Sequence, residues 1–229
     1  VLKVSGEGGA AELPVQLEVW DFVLPAGATH ENHFGGFGQV ANYHGLATDS
    51  EEFLSLETRY ADLMHAHRLD PPVPMRLRPT IGEDGTADFS AADAELSAYM
   101  DKYHLKGMEV PRAPFSDPAG ENRAKALQFF RSWQAYLEKK GWAEHAYHYM
   151  LDEPNDEAAY NEVRKLGALV KEGAPALRRL VVEQTYTQDP TWGTLDEAID
   201  IWCPLFSFID EADVQRVLAQ GDDVWSYTA

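Results

Sequence analysis

The densest chemistry in the chain lies in His145-Ala-Tyr-His-Tyr-Met-Leu-Asp152-Glu153-Pro154, an aromatic and apolar run that ends in two adjacent carboxylates and a proline. Pro154 lacks the N–H that a strand ladder needs and holds the residue before it out of the α region. A strand therefore ends here and leaves Asp152 and Glu153 at its mouth. Two carboxyl groups this close do not both ionise freely, and one that keeps its proton near neutral pH is what a glycosidase uses as its acid. Asp-Glu-Pro-Asn also reads as the cap of a helix beginning near Asn155, so spacing alone leaves both roles open.

Aromatic residues gather at the same kind of position. Trp20, Tyr147, Tyr149, Tyr186, Trp192, Trp202, Trp225 and Tyr227 all fall at or near predicted strand ends. Aromatic planes pack on the C–H faces of sugar rings, and Asp21, Glu109 or Gln184 could fix the hydroxyls. Each ring is equally suited to filling a core. The histidines come as His30-x-x-His33, His65-x-His67 and His145-x-x-His148. On a helix, His65 and His67 cannot converge, and on a strand His145 and His148 face opposite sides. His30 and His33 could share a metal, yet no Cys partner and no His-Glu-x-x-His accompanies them, so hydrogen bonding of His33 to substrate is the better reading and no metal is expected. No Gly-x-Ser-x-Gly is present, and Cys203 sits within an apolar strand, which leaves no protein nucleophile in view.

The elements that must carry these residues alternate. Val15, Leu17 and Val19 against Gln16 and Glu18 predict a first strand between Pro14 and Pro25, followed by a Gly- and His-rich loop to Thr48. A helix follows from Asp49 to about Asp70, then a strand over 73–80 and a helix from Ser90 to Tyr103. Lys106–Val110, His145–Leu151, Leu177–Glu183, Ile199–Phe206 and Val224–Thr228 read as further strands. Helices at Asp117–Lys140, Asn155–Lys171 and Glu211–Ala219 separate them, and Thr185–Thr194 is an irregular loop. About seven strands alternating with helices imply βαβ units and a parallel sheet. Gly35-Gly-Phe-Gly38 has the wrong spacing for a dinucleotide loop, so the expected fold is an α/β (β/α)8 TIM-type barrel whose last unit lies beyond Ala229.

Composition narrows the ligands. Of 229 residues, 45% are hydrophobic, enough for a full core, so disorder and coiled coil are excluded. Lys+Arg 19 against Asp+Glu 38 gives 19 − 38 = −19, a charge that repels nucleic acid and disfavours strongly anionic glycans. No apolar run approaches the ~20 residues of a membrane span.

Several segments together resemble glycoside hydrolase family 123 and its uncharacterised relatives, known as domain of unknown function 4091. They are Leu13 to Pro25, Tyr60 to Pro72 with its His-Arg-Leu-Asp-Pro, Tyr147 to Pro154, Ile199 to Pro204 and Val224 to Thr228. The resemblance implies a retaining exo-hexosaminidase acting on terminal β-linked N-acetylgalactosamine or a similar 2-acetamido sugar. Glu153 would be the general acid/base, and Asp152 would hold the acetamido N–H while the substrate's own carbonyl oxygen attacks, a substrate-assisted route that needs no cofactor. Residues 1–11 would then be the end of a preceding β-sandwich, Val1–Val4, and a linker, Ser5–Ala11. Residues 12–229 would form the catalytic barrel, in a periplasmic or secreted protein. The competing expectation is a barrel that binds carbohydrate in the same aromatic cleft without turning it over.

Overall fold

A computed structural model describes residues 1–25 and 27–228. Its first element is an antiparallel hairpin, β1 (Leu2–Gly6) and β2 (Gly9–Leu13), exposed along both strands. Ser5–Ala11, expected as a linker, carries the turn of this hairpin. The segment 14–25 was expected as the first barrel strand and has no regular structure. Leu17 is 83% and Val23 93% exposed. An alternating segment is stable as a strand only when a neighbour supplies its ladder and covers one face, and here neither is present.

Helices α1 (Gly38–His44) and α2 (Glu51–Ala66) come next, the second capped by the Ser50 hydroxyl, which accepts the Phe53 N–H at 3.1 Å. The strand expected over 73–80 is instead a 3-10 turn at Met75–Leu77 and a two-residue strand β3 (Thr80–Ile81), paired back on β4 (Ala87–Asp88). Pro74 and Pro79 leave too few donors for a longer ladder. α3 (Asp93–Tyr103) then leads to the main sheet.

That sheet has five parallel strands in chain order: β5 (Met108–Val110), β6 (Ala146–Asp152), β7 (Arg178–Val182), β8 (Ile201–Trp202) and β9 (Asp223–Val224). α4 (Arg123–Lys140), α5 (Glu157–Gly173) and α6 (Glu211–Gln220) lie in the crossovers. The architecture is thus mixed α/β with a parallel sheet, as the alternation predicts. The sheet is open, with β5 and β9 at its edges, because the two segments expected to precede β5 in it lie elsewhere.

Parallel pairing puts partnered residues on the same face, which defines two sides. Met150, Val181 and Trp202 face outward into a core with Tyr160, Val163, Ile199 and Val217. Tyr147, Leu180, Val182, Ile201 and Cys203 face inward and meet Tyr149, Trp225 and Tyr227. Two contacts set the distance between layers. A side chain at Gly167 of α5 would meet the Ala198 carbonyl oxygen at 2.3 Å, so only glycine lets the helix lie this close. Arg179, buried on the outer side, donates from Nε and Nη2 to the two carboxylate oxygens of Asp200 at 2.6 Å each, tying β7 to the loop before β8.

Candidate active site

The inward face of the sheet forms the floor of a cavity of about 900 Å³, closed on one side by residues 30–34. That loop is fastened from below. Asp70 is 4% exposed and accepts from the backbone N–H groups of Lys106 at 3.1 Å and Gly107 at 2.9 Å, and its own N–H donates to Asn32 Oδ1 at 3.1 Å. Burial raises the Asp70 carboxyl above the usual aspartate range, and the two backbone donors oppose it. Arg178 at the start of β7 pairs with Glu31 and, at 3.0 Å, with Asp223. The loop is therefore held at the N-terminal ends of β5 and β7.

His33 rises from this loop against the sheet. Its Nδ1 is hydrogen-bonded to the Tyr147 hydroxyl at 2.7 Å, and its ring lies 5.1 Å from that of Tyr149. Burial lowers its pKa, while the carboxylates of Glu109 and Asp152 pull the other way. A neutral imidazole on a tyrosine makes a hydrogen-bonding wall.

Asp152 reaches the cavity because β6 is irregular. Tyr149 pairs with Leu180 but Leu151 pairs with Val181, so one extra residue is accommodated around Met150. Strict alternation would place Tyr147, Tyr149 and Leu151 inward and turn Asp152 out toward the helices. The bulge sends Met150 and Leu151 outward and Asp152 inward. There Asp152 Oδ1 accepts the Tyr149 hydroxyl at 2.7 Å.

Glu153 follows with φ 43°, a left-handed conformation that is costly for a side chain with a Cβ, and its N–H donates to the Val182 carbonyl at 3.0 Å. The Tyr227 hydroxyl donates to Glu153 Oε1. Strain of this kind, of order 1–3 kcal/mol, persists where the surroundings over-determine a residue, and such residues cluster at functional sites. Asp152 and Glu153 do not line one cavity, as the adjacent-pair reading expects. Glu153 lines a smaller chamber of about 420 Å³, and Tyr227 lines both.

The other expected residues divide. Trp225 and Tyr227 line the large cavity, with Trp225 edge-on to Tyr147 at 5.2 Å. Tyr186 lines the smaller chamber. Trp202 is a correction: it is 2% exposed on the outer face, where its indole N–H donates to Asp222 Oδ2 at 3.0 Å, so it is core and not a platform for ligand. Trp20 is 69% exposed, its ring tilted at 43° to that of Phe22, and it lines neither cavity. Cys203 lines the large cavity, and burial with the nearby Asp152 pushes its thiol up to about 11, which keeps it protonated and unreactive. Among the described residues no three His, Cys, Asp or Glu side chains converge as a metal site.

Glu183 was not singled out from sequence. It follows β7 directly, as Glu153 follows β6, and it is 3% exposed, accepting the Gln184 N–H at 2.7 Å and Gln188 Nε2–H at 2.9 Å. Burial raises its pKa against those donors, and the charge of Glu153 adds to the rise. The signal was available: a carboxylate directly after the apolar run Leu180-Val-Val182.

No family model matches the chain, and no curated protein matches it. Among solved structures, the crystal structure of a candidate glycerophosphoryl diester phosphodiesterase from Silicibacter pomeroyi DSS-3 is similar at 17% identity with a TM-score of 0.36. The match covers 58% of this chain and 43% of that one, so the chain spans less than half of that neighbour's length. No helix among the described residues is long and apolar enough to cross a membrane.

Proposed function

We propose that the chain is the greater part of a (β/α)8 barrel that hydrolyses glycosides of 2-acetamido sugars. The barrel reading is supported by five parallel strands in consecutive order, helices on one side and a concave aromatic floor on the other. The observation that carries the catalytic reading is the bulge and left-handed turn at the end of β6, with Asp152 lining the large cavity and Glu153 the smaller chamber that shares Tyr227 with it, each held by a tyrosine hydroxyl.

In this reading a terminal 2-acetamido sugar lies on the floor between His33, Tyr149 and Trp225. Asp152 accepts the acetamido N–H, which directs the acetamido carbonyl oxygen at the anomeric carbon. Glu153 gives its proton to the glycosidic oxygen as that C–O bond breaks, and the resulting oxazolinium is neutralised by Asp152. Glu153, now a carboxylate, takes a proton from the water that attacks the anomeric carbon and reopens the ring. Preorganised donors and acceptors supply the gain, because they need no reorientation as charge develops.

The test is release of nitrophenol from an aryl 2-acetamido-2-deoxy-β-galactoside. Turnover should fall by about 10²–10⁴ in Glu153→Gln, the contribution typical of a positioned acid/base. Turnover that survives this substitution sinks the assignment. Sugar binding without turnover in the unmodified chain would leave a carbohydrate-binding cleft.

A further inference from the structure

The smaller chamber has no role in that account, and its chemistry is specific. Glu153 and Tyr227 line it, and Tyr227 also lines the cavity that holds Asp152. Glu183, Gln184 and Tyr186, carried on the segment that leaves β7, line it as well. That segment is anchored independently: the Arg216 guanidinium on α6 donates to the Thr185 carbonyl at 2.6 Å and pairs with Asp196 at 2.9 Å.

One side chain in this wall, Gln184, and its neighbour Thr185 behind it in sequence are buried without a partner. Gln184 is 9% exposed and Thr185 1%, yet Gln184 Oε1 and Thr185 Oγ1 have no hydrogen bond among the described residues. Buried polar groups are almost always satisfied, and an amide lining a chamber is satisfied when a ligand donates to it. The acidic groups lining the chamber are Glu153, which carries the catalytic proton in the hydrolase reading, and Glu183, and among the described residues no Lys, Arg or His lines it. An anionic group would meet repulsion and no cation. Hydroxyl groups, in contrast, can donate to Glu183 and to Gln184, while Tyr186 offers a ring face.

We propose that this chamber holds the leaving half of the substrate and that it takes a neutral, hydroxyl-rich group, a second sugar residue. The inference rests on the hydrolase reading above and adds where the aglycone goes. An acid that protonates the leaving oxygen must have that oxygen within hydrogen-bond reach, so the part being released lies on the Glu153 side of Tyr227. A volume of about 420 Å³ falls in the range of small-ligand sites.

The experiment compares two substrates with the same terminal sugar: the nitrophenyl glycoside, and a disaccharide in which that sugar is β-linked to galactose. In Gln184→Met and Tyr186→Ala the ratio of kcat/KM for the disaccharide to that for the aryl glycoside should fall about tenfold, the worth of one neutral hydrogen bond. A ratio that stays constant, whether both rates fall together or neither changes, overturns the proposal. If the unmodified chain cleaves neither substrate, the hydrolase reading fails by itself, and saturation-transfer NMR with free galactose decides the chamber. A galactose transfer signal that disappears in Gln184→Met but persists in Asp152→Asn supports the site. The absence of any galactose signal, or an equal decrease in both variants, overturns it.

Discussion

Glu153 carries two demands that conflict. Its carboxylate lines the smaller chamber, and its backbone must turn sharply before Pro154, which places a residue with a Cβ at φ 43°. Glycine would relieve the turn by about 1–2 kcal/mol, offset by the roughly 0.5–1 kcal/mol of chain entropy that glycine loses on folding. Glu153→Gly should therefore be more stable than Glu153→Ala by about 1 kcal/mol, the reverse of their order at an ordinary position, while both lack turnover. Urea melts of the two variants check it; alanine above glycine would show that the turn stores no strain. Proline after a carboxylate pair made the strand end legible in the sequence. The inward aim of Asp152 was not, because it depends on a bulge set by pairing with Leu180 and Val181. The same parity separates the aromatic residues. Trp202 lies between inward Ile201 and Cys203 and so faces the helices, whereas Trp225 and Tyr227 follow outward Val224 in alternation and face the cavity. Proximity to a strand end does not tell a core tryptophan from a ligand platform until the register is known.

At the scale of elements, β5 and β6 are joined by more than their ladder. His148 is 3% exposed on the outer face, its Nδ1 lies 2.9 Å from the Val110 carbonyl, and its ring packs edge-on to Phe130 of α4 at 5.1 Å. Burial pushes its pKa down to about 4, below the 6.5 of a free imidazole, outweighing the hydrogen bond to Val110. The unfolded chain therefore takes up the proton first. The stability this residue contributes is complete above pH 6.5 and is lost as pH falls through the window from 6.5 to 4, by up to about 3 kcal/mol. His148→Asn keeps a donor for Val110 but cannot titrate. Its melting temperature should be lower at pH 7, from the lost packing on Phe130, and should fall less than that of the unmodified chain between pH 6.5 and 4.5. Parallel loss in both proteins would assign the acid sensitivity to other groups. The helices were legible from their apolar stripes, which are local, but the start of α4, expected at Asp117, lies at Arg123, with Asn122 at its cap and no side-chain cap bond. Asp156 and Asp210 cap α5 and α6 within a residue or two of the expected starts. The segment 14–25 misled for the opposite reason: alternation states which face would be buried, and nothing local states what would bury it.

For the molecule as a whole, the order of the sheet followed from the βα alternation, since parallel neighbours joined through helices come in sequence. Closure does not follow from any local pattern. It requires edges far apart in the chain to meet, and β5 and β9 remain edges in this structure. Net charge is a property of the same scale, and it can be read from sequence alone. The total of −19 surrounds a large cavity lined by Glu31, Asp152 and Asp223, where the inward guanidinium of Arg178 is already paired with two carboxylates. Such a field acts over the Debye length, which shrinks from about 10 Å in 0.1 M salt to about 3 Å in 1 M. A neutral aryl 2-acetamido-galactoside should therefore be favoured over its 6-sulfated counterpart by on the order of tenfold in kcat/KM at 0.1 M salt. The advantage should narrow toward 1 M as the sulfated substrate gains, while the neutral substrate's own rate changes little. A preference that ignores salt would place selectivity in direct contacts with the sugar's C6 group. A preference for the sulfated substrate would mean that a cation outside the present cavity lining reaches the ligand, and the neutral-glycan reading would fall with it.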